Sequence, residues 1–343
     1  FATPPRNIPE YVFIMFQGMF AIITPALILG AIAERMKFSV WCVFITVWVL
    51  VVYCPVAHMV WSAEGWIYKA GAIDFAGGLV VHMTSGFSAI LAAVMLGKRA
   101  GFGKEPMPPH SLPLCLIGAG LLWMGWFGFN AGSALSASPL AALAFLNTST
   151  AASMAVVVWA LIEWVHRGKP TALGGATAAV AGLVAITPAC GAVSPLGSML
   201  VGGGVAIVSY AACTFLKPAL GYDDSLDVFG VHALGGAWGA LASGLFAVTL
   251  GAGIETNSQQ TMVQIKGILF VAIFAPVATA IILSLLKMVF GSLTASEEAQ
   301  FEGLDLSEHS ESAYTNTPSG SMAAHSAHAS AGAPAFAYEK KLA

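Results

Sequence analysis

Two stretches of the sequence, DFAGGLVVHMTSG at 74–86 and DVFGVHALGGAWG at 227–239, place an imidazole inside an apolar run. His82 follows Asp74 by eight residues, and His232 follows Asp227 by five. A neutral imidazole both donates and accepts, so two such rings can bond to each other without burying net charge. That gives a polar thread through an apolar wall. An aspartate at the start of a helix caps free N–H groups and suits the positive dipole end; capping and electrostatic tuning of the site both stand as roles for Asp74 and Asp227. A single intramembrane histidine is often only a hydrogen-bonded bundle residue. Two in matching contexts point to a shared site.

Aromatic residues supply a second constellation. Phe16 and Phe20 are four apart and share a helix face. Trp61 ends an apolar run, and Trp126, Phe127 and Phe129 shortly precede Ser133. Aromatic faces with a nearby hydroxyl can hold a small cation, at about 2 kcal/mol or more when desolvated. Taken one at a time, each ring also reads as an interfacial belt or packing residue. Ser85 lies near His82, but no nucleophile and oxyanion arrangement accompanies it, so hydrolase chemistry is not supported.

Long apolar segments must carry these residues. The 343 residues are 57% hydrophobic and 9% charged, against about 25% charged in soluble domains. Apolar runs lie near 12–33, 39–60, 75–97, 112–132, 139–165, 171–189, 196–216, 227–250 and 264–290. Each approaches the roughly 20 residues that cross a bilayer, and none alternates as barrel strands do. Nine helical spans are therefore expected. Arg35, Lys37, Lys98, Arg99, Lys104, Arg167, Lys169, Lys217 and Lys287 mark every second loop as cytoplasmic. The chain would then begin outside and end inside. The Asp74–His82 and Asp227–His232 runs would cross in opposite directions, as an inverted repeat with a midplane site requires. Glu34 and Glu163 fall beside the basic loops and are expected at the interface.

The five cysteines show no C-x-x-C spacing and read as packing residues. The net charge of −3 gives no sign of nucleic-acid binding, and no cofactor or metal motif is present. Residues 1–291 are expected to form the transmembrane domain. Residues 292–315 are acidic and polar, and 316–343 are a Ser/Ala/Gly/Pro-rich tail expected to be disordered.

The segments AERMKFS, PVAHMVW, DFAGGLVVHMTSGFSAI, GKRAGFGKE, GWFGFNAGSALS, AGLVAITPACG and DVFGVHALGG, in this order, resemble the ammonium transporter family (Amt/Mep, related to the Rhesus proteins), and the chain is similar to its bacterial Amt members from residue 8 to about 315. The resemblance implies an all-α polytopic membrane protein of eleven spans, built as an inverted five-plus-five repeat with one final helix. Nine spans would be visible here, so the chain is expected to lack the first two. It implies a homotrimer in the cell membrane, with a pore through each subunit. Phe20, Trp61 and Ser133 would recruit ammonium at the outer side, and Phe16 and Phe129 would form a stacked phenyl gate below. His82 and His232 would line the pore, with Asp74 supporting the outer site and Asp227 a buried structural acid. Residues 292–315 would couple subunits and meet a PII-type signal protein. Ammonium would bind as a cation and cross as ammonia. The alternative is an ammonium sensor signalling through its C-terminal region. Enzyme activity is not implied.

Overall fold

The computed structural model describes residues 8–312; the expected tail at 316–343 lies outside the described residues. Helices α1 (Glu10–Ile32), α2 (38–61), α3 (Gly78–Leu96), α4 (Leu112–Gly132), α5 (Pro139–Arg167), α6 (Ala172–Ile186), α7 (Pro195–Leu220), α8 (229–245) and α9 (Asn257–Phe290) follow the nine apolar runs. No named strand occurs among the described residues; two isolated bridges join loops. Seven of these helices are long and apolar enough to cross a membrane. Helix α6 has 15 residues, shorter than its run, and α8 also falls short of that length. Both are largely buried among the others. Ser111, Ser138, Thr171, Ser194 and Thr256 cap α4, α5, α6, α7 and α9 by accepting an N–H three residues on.

The core falls into two clusters. One joins α1, α2, α3 and α9, and includes Ile28, Phe44, Trp48, Leu79 and Leu283. The other joins α4 to α8, and includes Trp159, Leu183, Val201 and Tyr210. Irregular turns recur in the same order in both halves. Helix α2 carries a π-helical turn at Val49–Tyr53 and α7 carries one at Ala212–Leu216. Helix α3 opens with a π turn at Gly78–Met83 and α8 with one at Phe229–Leu234. Each histidine therefore sits in a π turn, where one extra residue per turn rotates the side chains that follow.

Helices α3 and α8 are antiparallel and touch backbone to backbone. A Cβ added at Gly86 would overlap the Ala233 nitrogen, and one at Gly236 would lie 3.1 Å from both the Gly78 carbonyl oxygen and the His82 Cβ. These glycines each stand one helical turn after a histidine, and they set the distance between the two rings.

Each crossing helix starts on an aspartate, but the second is not the expected one. The Asp74 carboxylate accepts the Gly78 N–H, the Leu79 N–H at 3.0 Å and the Val80 N–H at 3.1 Å. Its counterpart is Asp224, which is fully buried and accepts the Phe229 N–H at 2.7 Å. Burial pushes the Asp224 carboxyl up to about 6, against the N–H groups of Phe229 and Val228. Asp227, expected as the buried acid, has a half-exposed side chain paired with Lys217 Nζ at 2.6 Å. The backbone turns left-handed there, at φ 58°, and this directs its carboxylate away from the helix start. Glu163, one turn before the end of α5, is drawn inward by the next loop. It is 3% exposed and accepts the Thr171 N–H at 2.7 Å and its hydroxyl at 3.1 Å, so it anchors the start of α6 inside the bundle.

At the end of the bundle near Asp224, the loops are clasped by charge. Arg99 spans the buried Asp223 carboxylate, with Nε 3.0 Å from Oδ2 and Nη2 2.8 Å from Oδ1, and reaches the exposed Glu34 at 2.7 Å. Buried Arg35 donates to the Asp223 carbonyl at 2.6 Å. Burial would raise the Asp223 carboxyl, but hydrogen bonds and charge from Arg99, with Arg35, hold it below the usual carboxylate range. Residues 292–312 lie against this end. Lys37 N–H donates to the Leu293 carbonyl at 3.1 Å, Ala295 N–H to the Arg35 carbonyl at 2.9 Å, and Phe38 N–H to Glu308 Oε2 at 3.3 Å.

The two aspartates can be separated by mutation. Asp224→Ala removes a cap and is expected to cost about 1–2 kcal/mol, whereas Asp227→Asn removes a part-exposed ion pair worth about 0–1 kcal/mol. Thermal unfolding of the detergent-purified variants reads the difference; a larger loss from Asp227→Asn would contradict the assignment.

Candidate functional site

His82 and His232 meet through their Nδ1 atoms at 3.2 Å, with ring centroids 5.3 Å apart. They are 1% and 8% exposed. One Nδ1 must carry the proton and the other must accept it. For a neutral pair, this leaves one Nε2 as a lone-pair acceptor and the other as an N–H donor. His82 Nε2 is buried and has no hydrogen-bond partner among the described residues. The pair therefore offers one acceptor and one donor to a small molecule that needs both.

Rings lead to the histidines in an unbroken column. Trp61 meets Phe20 edge-on at 5.5 Å, and Phe20 meets Phe129 at 4.6 Å. Phe129 stacks on His82 at 6.0 Å. Trp126 stacks on His82 at 5.4 Å and 17° and touches Phe129 at 5.2 Å. Its Nε1–H donates to the Thr187 hydroxyl at 2.9 Å, which fixes the indole plane. The sequence singled out Trp126 only as one of three aromatics before Ser133. Its place against His82 depends on a contact between α4 and α3 that periodicity does not report.

The phenyl pairing differs from expectation. The ring against Phe129 is Phe20, which is 2% exposed. Phe16 instead meets Phe20 at 5.0 Å and lies beside Gly132, where an added Cβ would be 3.0 Å from its ring. Phe16 is one helical turn before Phe20, so it sits a level above the Phe20–Phe129 contact. Helical spacing put both phenylalanines on one face but could not tell which of them reached α4.

Ser133 ends α4, and its hydroxyl donates to the Phe129 carbonyl at 2.9 Å. Its oxygen lone pairs stay free to accept. Trp61 is fixed by its Nε1–H, which donates to the Asp74 carbonyl at 2.8 Å. Asp74 therefore serves two structures at once, with its carboxylate on the start of α3 and its carbonyl on the Trp61 indole. Asp227 belongs to neither.

The family model of the ammonium transporters matches residues 1–314. The ammonium transporter of Aquifex aeolicus is 46% identical over 310 residues, covering 89% of this chain and 72% of that protein. The ammonium transporter of Bacillus subtilis is 44% identical over 321 residues, covering 91% and 78%. Among solved structures, one described as a sensor Amt protein superposes with a TM-score of 0.83 at 32% identity, covering 87% of this chain and 77% of that one. Candida albicans Mep2 superposes with a TM-score of 0.79 at 37% identity, covering 85% and 68%. With its all-helical, multi-pass bundle, the chain belongs to the ammonium transporter family, a family of membrane transporters and not of enzymes.

Proposed function

We propose that the protein moves ammonium across the membrane by recruiting the cation at Phe20, Trp61 and Ser133 and passing ammonia along His82 and His232. The observation that carries this reading is the ring column from Trp61 to the joined imidazoles. Ammonium is a compact cation with four donors, and moving it bare into an apolar medium costs tens of kcal/mol in the idealised limit. The faces of Phe20 and Trp61 and the Ser133 oxygen compensate for part of its hydration. The Phe20–Phe129 contact then serves as the gate, with Phe16 above it. Beyond the gate, apolar walls disfavour the charged form and favour release of the proton. Ammonia has three N–H groups and one lone pair, and the histidine pair presents one acceptor and one donor. Potassium cannot become neutral and is rejected. Methylammonium enters and larger amines do not.

The remaining expectations belong with this proposal: an orientation with the outer site outside and residues 292–315 in the cytoplasm, a homotrimer, and a PII-type partner at the cytoplasmic face. A signalling reading has two supports. Residues 292–312 bond to the loop between α1 and α2, and a similar structure is described as a sensor. A protein that binds ammonium but moves none would favour signalling alone.

Trp61→Leu in proteoliposomes is expected to raise the half-saturating ammonium concentration by about threefold to tenfold, as loss of a cation–π contact worth about 1 kcal/mol would, with little change at saturation. An unchanged concentration dependence would assign Trp61 to packing. His82→Ala is expected to cut methylammonium uptake by about tenfold or more while the protein stays monodisperse on gel filtration. Wild-type, ammonium-selective uptake in that variant would remove the histidines from the pathway.

A further inference from the structure

The Trp61 indole is only as well placed as the Asp74 carbonyl it donates to, and that carbonyl lies in an irregular segment. Residues 72–74 are neither helix nor strand. In such a segment every buried N–H and C=O needs a partner from elsewhere. For Ile73 both are supplied by one side chain on α9. Gln264 Oε1 accepts the Ile73 N–H at 2.8 Å, and Gln264 Nε2 donates to the Ile73 carbonyl at 2.7 Å. The amide thus grips the peptide groups on both sides of Ile73, one of them the Ile73–Asp74 bond.

We infer that Gln264 is a positioning residue for ammonium recruitment, acting through Ile73 and Asp74 to hold Trp61 over Phe20. This rests on the recruitment role proposed above for Trp61. Gln264 is fully buried in an apolar helix, a place where an amide is costly unless each of its groups is bonded. Its Nε2 also donates to the Ala240 carbonyl at 3.0 Å, and its Oε1 also accepts from Gln260 Nε2 at 3.3 Å. Gln260 in turn donates to the Gly71 carbonyl at 2.9 Å and accepts the Gly251 N–H at 2.7 Å. The two glutamines, one helical turn apart, therefore fasten 71–73 to α9 as a unit.

The histidine side of Asp74 has separate anchors. Phe75 N–H donates to the Pro188 carbonyl at 3.1 Å and Ala76 N–H to the Thr187 carbonyl at 3.2 Å. These tie the chain after Asp74 to the end of α6, independently of α9. Loss of the Gln264 amide should consequently loosen the Trp61 side more than the His82 side. The effect should fall on apparent affinity and not on limiting rate.

The test is ammonium-dependent transport by the purified protein in proteoliposomes, measured as half-saturating concentration and limiting rate. Gln264→Met keeps the length and removes both amide groups, and Thr279→Val serves as control. Thr279 is on the same helix, buried, and bonds to Trp48 and Ser88, about 20 Å along the axis from Gln264. Gln264→Met is expected to raise the half-saturating concentration about threefold to tenfold, the range set by losing one or two hydrogen bonds, with the limiting rate kept. Thr279→Val should leave the half-saturating concentration unchanged. The double variant Gln264→Met with Trp61→Leu should shift no further than Trp61→Leu alone, because both break one chain of contacts. Additive shifts, a loss confined to the limiting rate, or an equal shift from Thr279→Val would overturn the assignment. If Gln264→Met does not fold, Gln264→Glu keeps the acceptor for the Ile73 N–H and loses the donor, and the same shift without a change in limiting rate is expected. A Trp61→Leu protein with unaltered concentration dependence would instead sink the recruitment reading itself, so the two failures are distinguishable.

Discussion

A single hydrogen bond between two buried imidazoles organises this molecule. The Nδ1 atoms of His82 and His232 share one proton across 3.2 Å, at a depth where an unpaired polar group is costly. Pairing the Nδ1 atoms with each other commits both rings, turns both Nε2 atoms away from the contact, and makes one an acceptor and the other a donor. Everything nearby serves that contact. Gly86 and Gly236 let α3 and α8 approach at their backbones. The two π turns swing the rings into the crossing. Asp74 and Asp224 fix where each helix begins. Trp126 closes the free face of His82.

The same features appear twice because the bundle is built twice. Asp74, His82 and Gly86 have the spacing of Asp224, His232 and Gly236, and π turns recur in the paired helices of both halves. An antiparallel crossing of two like helices brings like positions together near the centre, so a paired site is what this arrangement produces most readily. The two halves differ away from the centre. At the Asp74 end, the Asp74 carbonyl holds Trp61 against Phe20 in the aromatic cluster. At the Asp224 end, Lys217 donates to the Asp224 carbonyl at 2.6 Å, and the arginine clasp lies alongside.

Much of this was legible in the sequence. The apolar runs located helices α1 to α9, and the two histidines stood out because little else at that depth could ionise. The identity of the second capping acid was also available: Asp224 stands eight residues before His232, just as Asp74 stands eight before His82. Asp227 drew attention because it opens the apolar run, yet a left-handed backbone at that residue turns it toward Lys217. The π turns left no trace in periodicity. The apolar run continues to residue 250, but α8 ends at Leu245 and the chain beyond it leaves the helix for a bridge between Ala247 and Val193. Phe16 and Phe20 share a helical face, and only the packing of α1 against α4 selects Phe20 for Phe129. The anchoring of α6 by Glu163 was not legible, because it depends on a bond to Thr171 across a tight turn.

The most direct test is the protonation state of the two rings. Solid-state nitrogen NMR on histidine-labelled protein in lipid at neutral pH, with the pair assigned by its loss in His232→Asn, resolves each ring nitrogen. The account predicts one protonated and one unprotonated Nδ1, coupled to each other through the shared proton, and neither ring an imidazolium. Two imidazolium rings, or two uncoupled rings each carrying its proton on Nε2, would contradict it.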